Sequence, residues 1–171
     1  SSIEDLKKFP NDMYISLNTS PKYIMNGAIE RILANVPHHR IVLEITEHAP
    51  IEDYSIFREA LKPLQEKGIR LAIDDAGAGY SSFQHILELS ADIIKLDISL
   101  IRNIHLDTRR RALATALIAF AKAINCMMIA EGVECEEELL ELRKLGVGKA
   151  QGYFIGHPTP VENAASLKIA V

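Results

Sequence analysis

Short runs of apolar residues recur along this chain, and each is followed by a longer stretch whose apolar residues fall three or four apart. The runs at Met13 to Leu17, Ile41 to Ile45, Leu71 to Ile73, Ile93 to Ile94, Met127 to Ala130 and Lys149 to Tyr153 predict six strands. Between them the spacing predicts helices. One is capped by Thr19 or Ser20, has Pro21 in its first turn, and runs through Tyr23, Ile24, Ile29, Ile32 and Leu33 to a stop at Pro37. A second is opened by Pro50 and carries Ile51, Ile56, Phe57, Leu61 and Leu64; Pro63 is expected to kink or restart it, and Gly68 to close it. A third starts near Ser81 or Ser82. After a polar segment beyond Asp97, an alanine-rich helix covers Thr108 to Asn125, and an acidic one covers Glu136 to Leu145 before Gly146. Further helices are expected at Ser1 to Lys8 and around Ala164, Ala165 and Leu167.

Strands alternating with helices define an α/β fold with a parallel sheet. Each predicted strand also ends at a polar group: Asn18, Glu44, Asp74, Lys95, Glu131 and Gln151. In a (β/α) barrel those ends share one face, where the active site lies. Asp74 and Asp75, next to Gly77 and Gly79, point to a divalent-metal site, and Lys95 one βα unit later points to stabilisation of developing negative charge. Each group alone has a plainer reading. The two aspartates also suit a solvated strand end or a helix cap, Lys95 a structural ion pair, and Glu136 to Glu138 an exposed helix start.

Composition narrows the picture. A chain of 171 residues, 48% hydrophobic and 25% charged, fits one soluble globular core. Its net charge of -4 argues against tight, nonspecific binding of long nucleic acid, though metal ions would let it hold a small anion. No apolar run reaches ~18 residues and the N-terminus lacks a signal-peptide core, so the expected location is the cytoplasm. Cys126 and Cys135 have no metal-ligand spacing and are expected to be idle reduced thiols, while His38 and His39 are expected at the surface.

The stretches SLNTS around Asn18, LEITE from Glu44 to Glu47, DDAGAGYSSF from Asp74, IKLD from Lys95 to Asp97, AEGVE at Glu131 and QGYFIGHPTP from Gln151 resemble the EAL domain family, the cyclic di-GMP phosphodiesterases. The resemblance spans almost the whole chain. It implies a (β/α)8 TIM-barrel-like fold in which two Mg²⁺ or Mn²⁺ ions hold cyclic di-GMP and activate the water that opens it to linear pGpG. Carried over by position, Asn18 and Glu44 bind the first metal, Asp74 bridges both, and Asp75 and Glu131 serve the second metal or its water. Lys95 matches the catalytic lysine, with Glu131 beside it. Glu47 matches the anchor of the loop after Asp75. Asp97 and Gln151 match supporting or substrate-contacting positions.

Two departures accompany the resemblance. No Glu-Ala-Leu tripeptide, whose glutamate is a further ligand in the family, precedes Asn18, and six strands in 171 residues fall short of an eight-stranded barrel of roughly 250. Residues 1–171 are therefore expected to be a single EAL-type domain lacking its first two strands, a piece of a longer protein with a sensor or cyclase domain upstream. Ala76 and Ala78 also stand where the family usually has phenylalanine and threonine. A homodimer fits the family. The rival expectations are a degenerate domain that binds cyclic di-GMP or a protein partner without cleaving it, and another metal-assisted barrel enzyme.

Overall fold

The computed structural model describes residues 10, 11, 13–46, 48–77 and 81–160, with Ser81 and Ser82 by backbone alone. The expected helices at Ser1 to Lys8 and around Leu167, and the expected loop anchor Glu47, lie outside the described residues. Six parallel strands stand side by side in chain order: β1 (Ile15–Asn18), β2 (Ile41–Thr46), β3 (Arg70–Ala76), β4 (Ile93–Leu96), β5 (Met127–Ala130) and β6 (Lys149–Ala150). Helices α1 (Pro21–Met25), α2 (Ala28–Leu33), α3 (Tyr54–Glu66), α4 (Ser81–Leu89), α5 (Ile98–Ile101), α6 (Thr108–Ala123) and α7 (Glu136–Leu145) connect them. This is an incomplete α/β barrel: six strands of a TIM-barrel-like sheet, with β1 and β6 as its edges.

Strand alternation sorts the residues into two layers. On the outer face, Leu43, Ile45, Leu71, Ile73, Ile94, Leu96, Met128 and Ala130 meet Phe57, Leu61, Leu64, Leu117, Ile118 and Leu142 from the helices. On the inner face, Val42, Ala72, Ile93 and Ile129 form a small separate cluster with Tyr14 against it. Two positions further along their strands from those four come Glu44, Asp74, Lys95 and Glu131. One alternation thus fills the barrel with aliphatic groups and crowns it with ionisable ones.

Several element boundaries differ from the sequence reading. The single helix expected to end at Pro37 is broken into α1 and α2 at Asn26 and Gly27. Gly27 takes a left-handed φ of 69°, and the Asn26 side chain accepts from Ala28 N at 2.9 Å, starting a new helix. Ser20 stands at the α1 N-cap without a side-chain bond. Helix α3 begins at Tyr54 rather than Pro50 because the Asp53 carboxylate accepts from Ser55 N and Ile56 N at 2.8 and 3.0 Å. It also runs unbroken through Pro63, which is exposed, as is Glu59 one turn earlier, so water can satisfy the carbonyl the ring leaves unpaired. Strand β6 is only Lys149–Ala150, although Gln151 N continues the ladder to Ala130 O at 2.8 Å.

Arg40 was not among the expected interior residues, yet it is 5% exposed. Its Nε donates to Met13 O and its Nη2 to Pro10 O, each at 2.7 Å, fastening the entry to β1 beneath the sheet. Arg40→Ala is expected to lower the unfolding free energy in urea by about 2–4 kcal/mol, since buried charge-assisted bonds leave unpaired carbonyls when removed. His39 is exposed as expected, whereas His38 is half-buried, its Nε2 3.1 Å from Leu33 O.

Candidate functional site

Each strand delivers its polar group to the C-terminal edge of the sheet. Asn18 and Glu44 are register partners on β1 and β2, Asp74 lies near the end of β3, Lys95 is on β4, and Glu131 and Gln151 directly follow β5 and β6. Asp75 is the exception that needs explaining, because strand alternation places consecutive side chains on opposite faces. The register between β3 and β4 shifts between Ile73 and Ala76, and Asp75 adopts a left-handed φ of 58°. A bulge of this kind re-aims a side chain, and a non-glycine residue held left-handed carries a cost of about 1–3 kcal/mol that concentrates at functional sites. The result is that carboxylate oxygens of Asp74, Asp75 and Glu131 lie within 4.8 Å of one another.

Lys95 stands at the centre, 6% exposed. Its Nζ lies 2.9 Å from Glu44 Oε2, 2.9 Å from Asp74 Oδ1 and 2.7 Å from Glu131 Oε1. Burial pulls the ammonium down, but hydrogen bonds to Glu131, Asp74 and Glu44 outweigh it and hold the group above its ordinary range. Glu131 shows the opposite balance: burial pushes its carboxyl up to about 7, against the pull of Lys95, and the charge of Asp74 pushes the same way as burial.

Three carboxylates, those of Glu44, Asp74 and Glu131, thus gather around one ammonium, and a fourth, that of Asp75, stands beside Asp74 and Glu131. Hard oxygen donors with surplus negative charge in a half-dry site suit a divalent cation of the magnesium or manganese type, so the donor set fits such an ion. Glu44 joins the group through Lys95, and Asn18, beside it, is exposed.

The remaining expected residues take supporting places. Gln151 Nε2 donates to Glu131 Oε1, orienting that carboxylate. Gly152 makes this approach feasible: a Cβ there would collide with the backbone N and O of Val133. Gly152→Ala is expected to cost about 1–3 kcal/mol in thermal unfolding and to pull Gln151 off Glu131. The Asp97 carboxylate accepts from Ser99 N at 2.8 Å and caps α5, a short helix in the stretch read from sequence as merely polar.

Other polar groups at this rim were missed in the sequence. Glu138, read as part of an exposed helix start, is 1% exposed; it accepts from Asn103 N and Glu134 N at 2.8 and 2.9 Å. The Arg102 guanidinium pairs with Glu134 across the same two loops. His85, buried on α4, has Nδ1 2.7 Å from Tyr54 Oη and Nε2 3.1 Å from Ala49 O, joining the helix after the aspartate loop to the loop after β2. No local motif marked these groups: the residue at the N-cap of α7 is Cys135, so no capping box singles out Glu138. Cys126 is a free buried thiol pushed up to about 11 by burial, as suits an idle residue. No helix among the described residues is long and apolar enough to cross a membrane.

An incomplete (β/α) barrel with a carboxylate cluster competent for divalent metal at its C-terminal face defines the class. Within that class the chain belongs to the EAL domain family, whose model matches residues 1–158. It is 32% identical over 160 residues to the probable cyclic di-GMP phosphodiesterase PdeD of Escherichia coli K12, covering 90% of this chain and 29% of that protein. It is similar to the EAL domain of Mycobacterium smegmatis DcpA, with a TM-score of 0.88 and 28% identity over 96% of this chain and 77% of that one. It is also similar to Klebsiella pneumoniae BlrP1 in its manganese and cyclic di-GMP complex, with a TM-score of 0.77 and 29% identity over 86% of this chain and 40% of that one. The chain spans less than a third of the length of the curated relatives it matches.

Proposed function

We propose that this chain is a single EAL-type domain, a cytoplasmic part of a longer signalling protein, that hydrolyses cyclic di-GMP to linear pGpG with two Mg²⁺ or Mn²⁺ ions. The observation that carries this reading is the convergence of Asp74, Asp75 and Glu131 oxygens around a buried lysine. Asp74, Asp75 and Glu131 would hold the ions, with Glu44 and Asn18 completing the donor set. When bound, such ions polarise a phosphodiester and lower the pKa of water, stabilising attacking and leaving oxygens together.

The chain's own groups supply the rest. Lys95 keeps its positive charge because three carboxylates surround it, so it can face a phosphate oxygen as negative charge builds up. Gln151 fixes Glu131 in one orientation, and Glu131, with its raised proton affinity, is placed to accept a proton from attacking water. Asp97 shapes the backbone next to Lys95 by capping α5. Incubation of the protein with cyclic di-GMP and Mn²⁺, followed by chromatography, is expected to yield pGpG, and excess EDTA to stop it. No pGpG from either this chain or the protein with its natural flanking sequence contradicts hydrolysis.

No Glu-Ala-Leu tripeptide precedes Asn18, the one in the chain, Glu59-Ala60-Leu61, lying in helix α3, and this favours one second reading, a domain that binds cyclic di-GMP without cleaving it. Saturable binding of cyclic di-GMP without turnover in both proteins would establish that reading instead.

A further inference from the structure

The opposite end of the barrel carries the reverse charge. Tyr14, just before β1, packs under the inner cluster of Val42, Ala72, Ile93 and Ile129. Around its ring stand two cations from the first residues of distant strands: Arg70 of β3, with Cζ 4.6 Å from the ring centroid, and Lys149 of β6, with Nζ 4.8 Å from it. Cation–π attraction gathers them but neutralises neither. Among the described residues no carboxylate pairs with either one, and Arg70 Nε is shielded from solvent with no hydrogen-bond partner. A buried guanidinium N–H without an acceptor is costly, and guanidinium geometry matches planar or tetrahedral oxyanions. Lys149 is exposed, which leaves the mouth open to solvent.

We infer that Arg70 and Lys149, gathered around Tyr14, form an oxyanion site at the N-terminal mouth of the barrel, where the Arg70 guanidinium and the Lys149 ammonium together hold a carboxylate or phosphate oxygen. That oxygen has two sources: a free small anion, or an acidic side chain of a polypeptide segment lying in the seam between β6 and β1, which do not pair with each other.

The test is ¹H–¹⁵N spectroscopy of the arginine Nε–H groups during titration with inorganic phosphate or acetate at constant ionic strength. A saturable shift of the Arg70 signal, weakened about tenfold or more by Lys149→Gln, assigns the site to a free anion. No shift in this chain, with an Arg70 Nε–H that exchanges slowly in the protein carrying its natural flanking sequence, assigns it to a polypeptide carboxylate. No saturable shift, together with solvent-rate exchange of that N–H in both proteins, overturns the inference. The shift and the exchange rate that uphold or overturn the inference are read on the unmutated protein, Lys149→Gln serving only to compare affinities, and neither readout requires hydrolysis of cyclic di-GMP.

Discussion

Lys95→Ala is expected to remove hydrolysis and, in metal-free buffer, to bring the protein close to unfolding. The ammonium lies within 3 Å of oxygens of Glu44, Asp74 and Glu131, no other cation among the described residues pairs with these three carboxylates, and it is nearly inaccessible to water. Its loss leaves buried carboxylates facing one another; breaking a buried ion pair from one side costs about 3–5 kcal/mol, a large share of a total near 5–15 kcal/mol. The pH dependence has a definite sign. Glu131 already sits at about 7 in the folded protein against an ordinary 4.5, so between those values the folded state holds a proton that the unfolded chain has released. That contribution makes stability fall as pH rises through this window, and removing Lys95, which pulls Glu131 down, extends the window upward. Millimolar Mn²⁺ is expected to restore most of the lost melting temperature by replacing the missing positive charge. Turnover is expected to stay about 10²–10³-fold down or lower, because the ammonium proposed to meet the phosphate is gone. A variant that melts like the parent without metal and retains turnover contradicts both roles.

Asp75→Asn separates charge from backbone. Asparagine tolerates the left-handed conformation at this position nearly as well as aspartate, so the bulge that aims the side chain is expected to survive. What disappears is one anionic donor of the three within 4.8 Å. The expected result is a metal-free melting temperature close to that of the parent, with Mn²⁺ stabilising it far less; a tenfold or greater loss of affinity removes at least about 1.4 kcal/mol from that stabilisation at saturating metal. Equal Mn²⁺ stabilisation of variant and parent removes Asp75 from the ligand set.

These expectations rest partly on features that the sequence displays and partly on ones it does not. Parallel strand order, and delivery of Asn18, Glu44, Asp74, Lys95, Glu131 and Gln151 to one edge, follow from βα alternation and need no tertiary information. The break between α1 and α2 was visible in principle as Asn26-Gly27, a turn pair sitting inside an amphipathic pattern. Helix α3 starts late because a cap outweighs a proline, a local competition that periodicity does not resolve.

Burial of charged groups is the larger gap. Nothing local marks Arg40, Glu138 or Lys95 as buried, and each is buried because its partners arrive from remote stretches: Pro10 and Met13 for Arg40, Asn103 for Glu138, three separate strands for Lys95. The bulge at Asp75 is equally non-local, since only pairing of β3 with β4 defines it. The cation pair around Tyr14 joins β3 and β6, more than seventy positions apart, and carries no motif at all.

The central claim is that the inner-face carboxylates at the strand ends trap divalent cations. Electron paramagnetic resonance of Mn²⁺ added to excess protein tests it without substrate or turnover. The six-line signal of hydrated Mn²⁺ is expected to vanish as the ion is taken up, and to return when Asp74, Asp75 and Glu131 are replaced together by their amides. An undiminished six-line signal with the unmutated, folded protein in excess would contradict the claim.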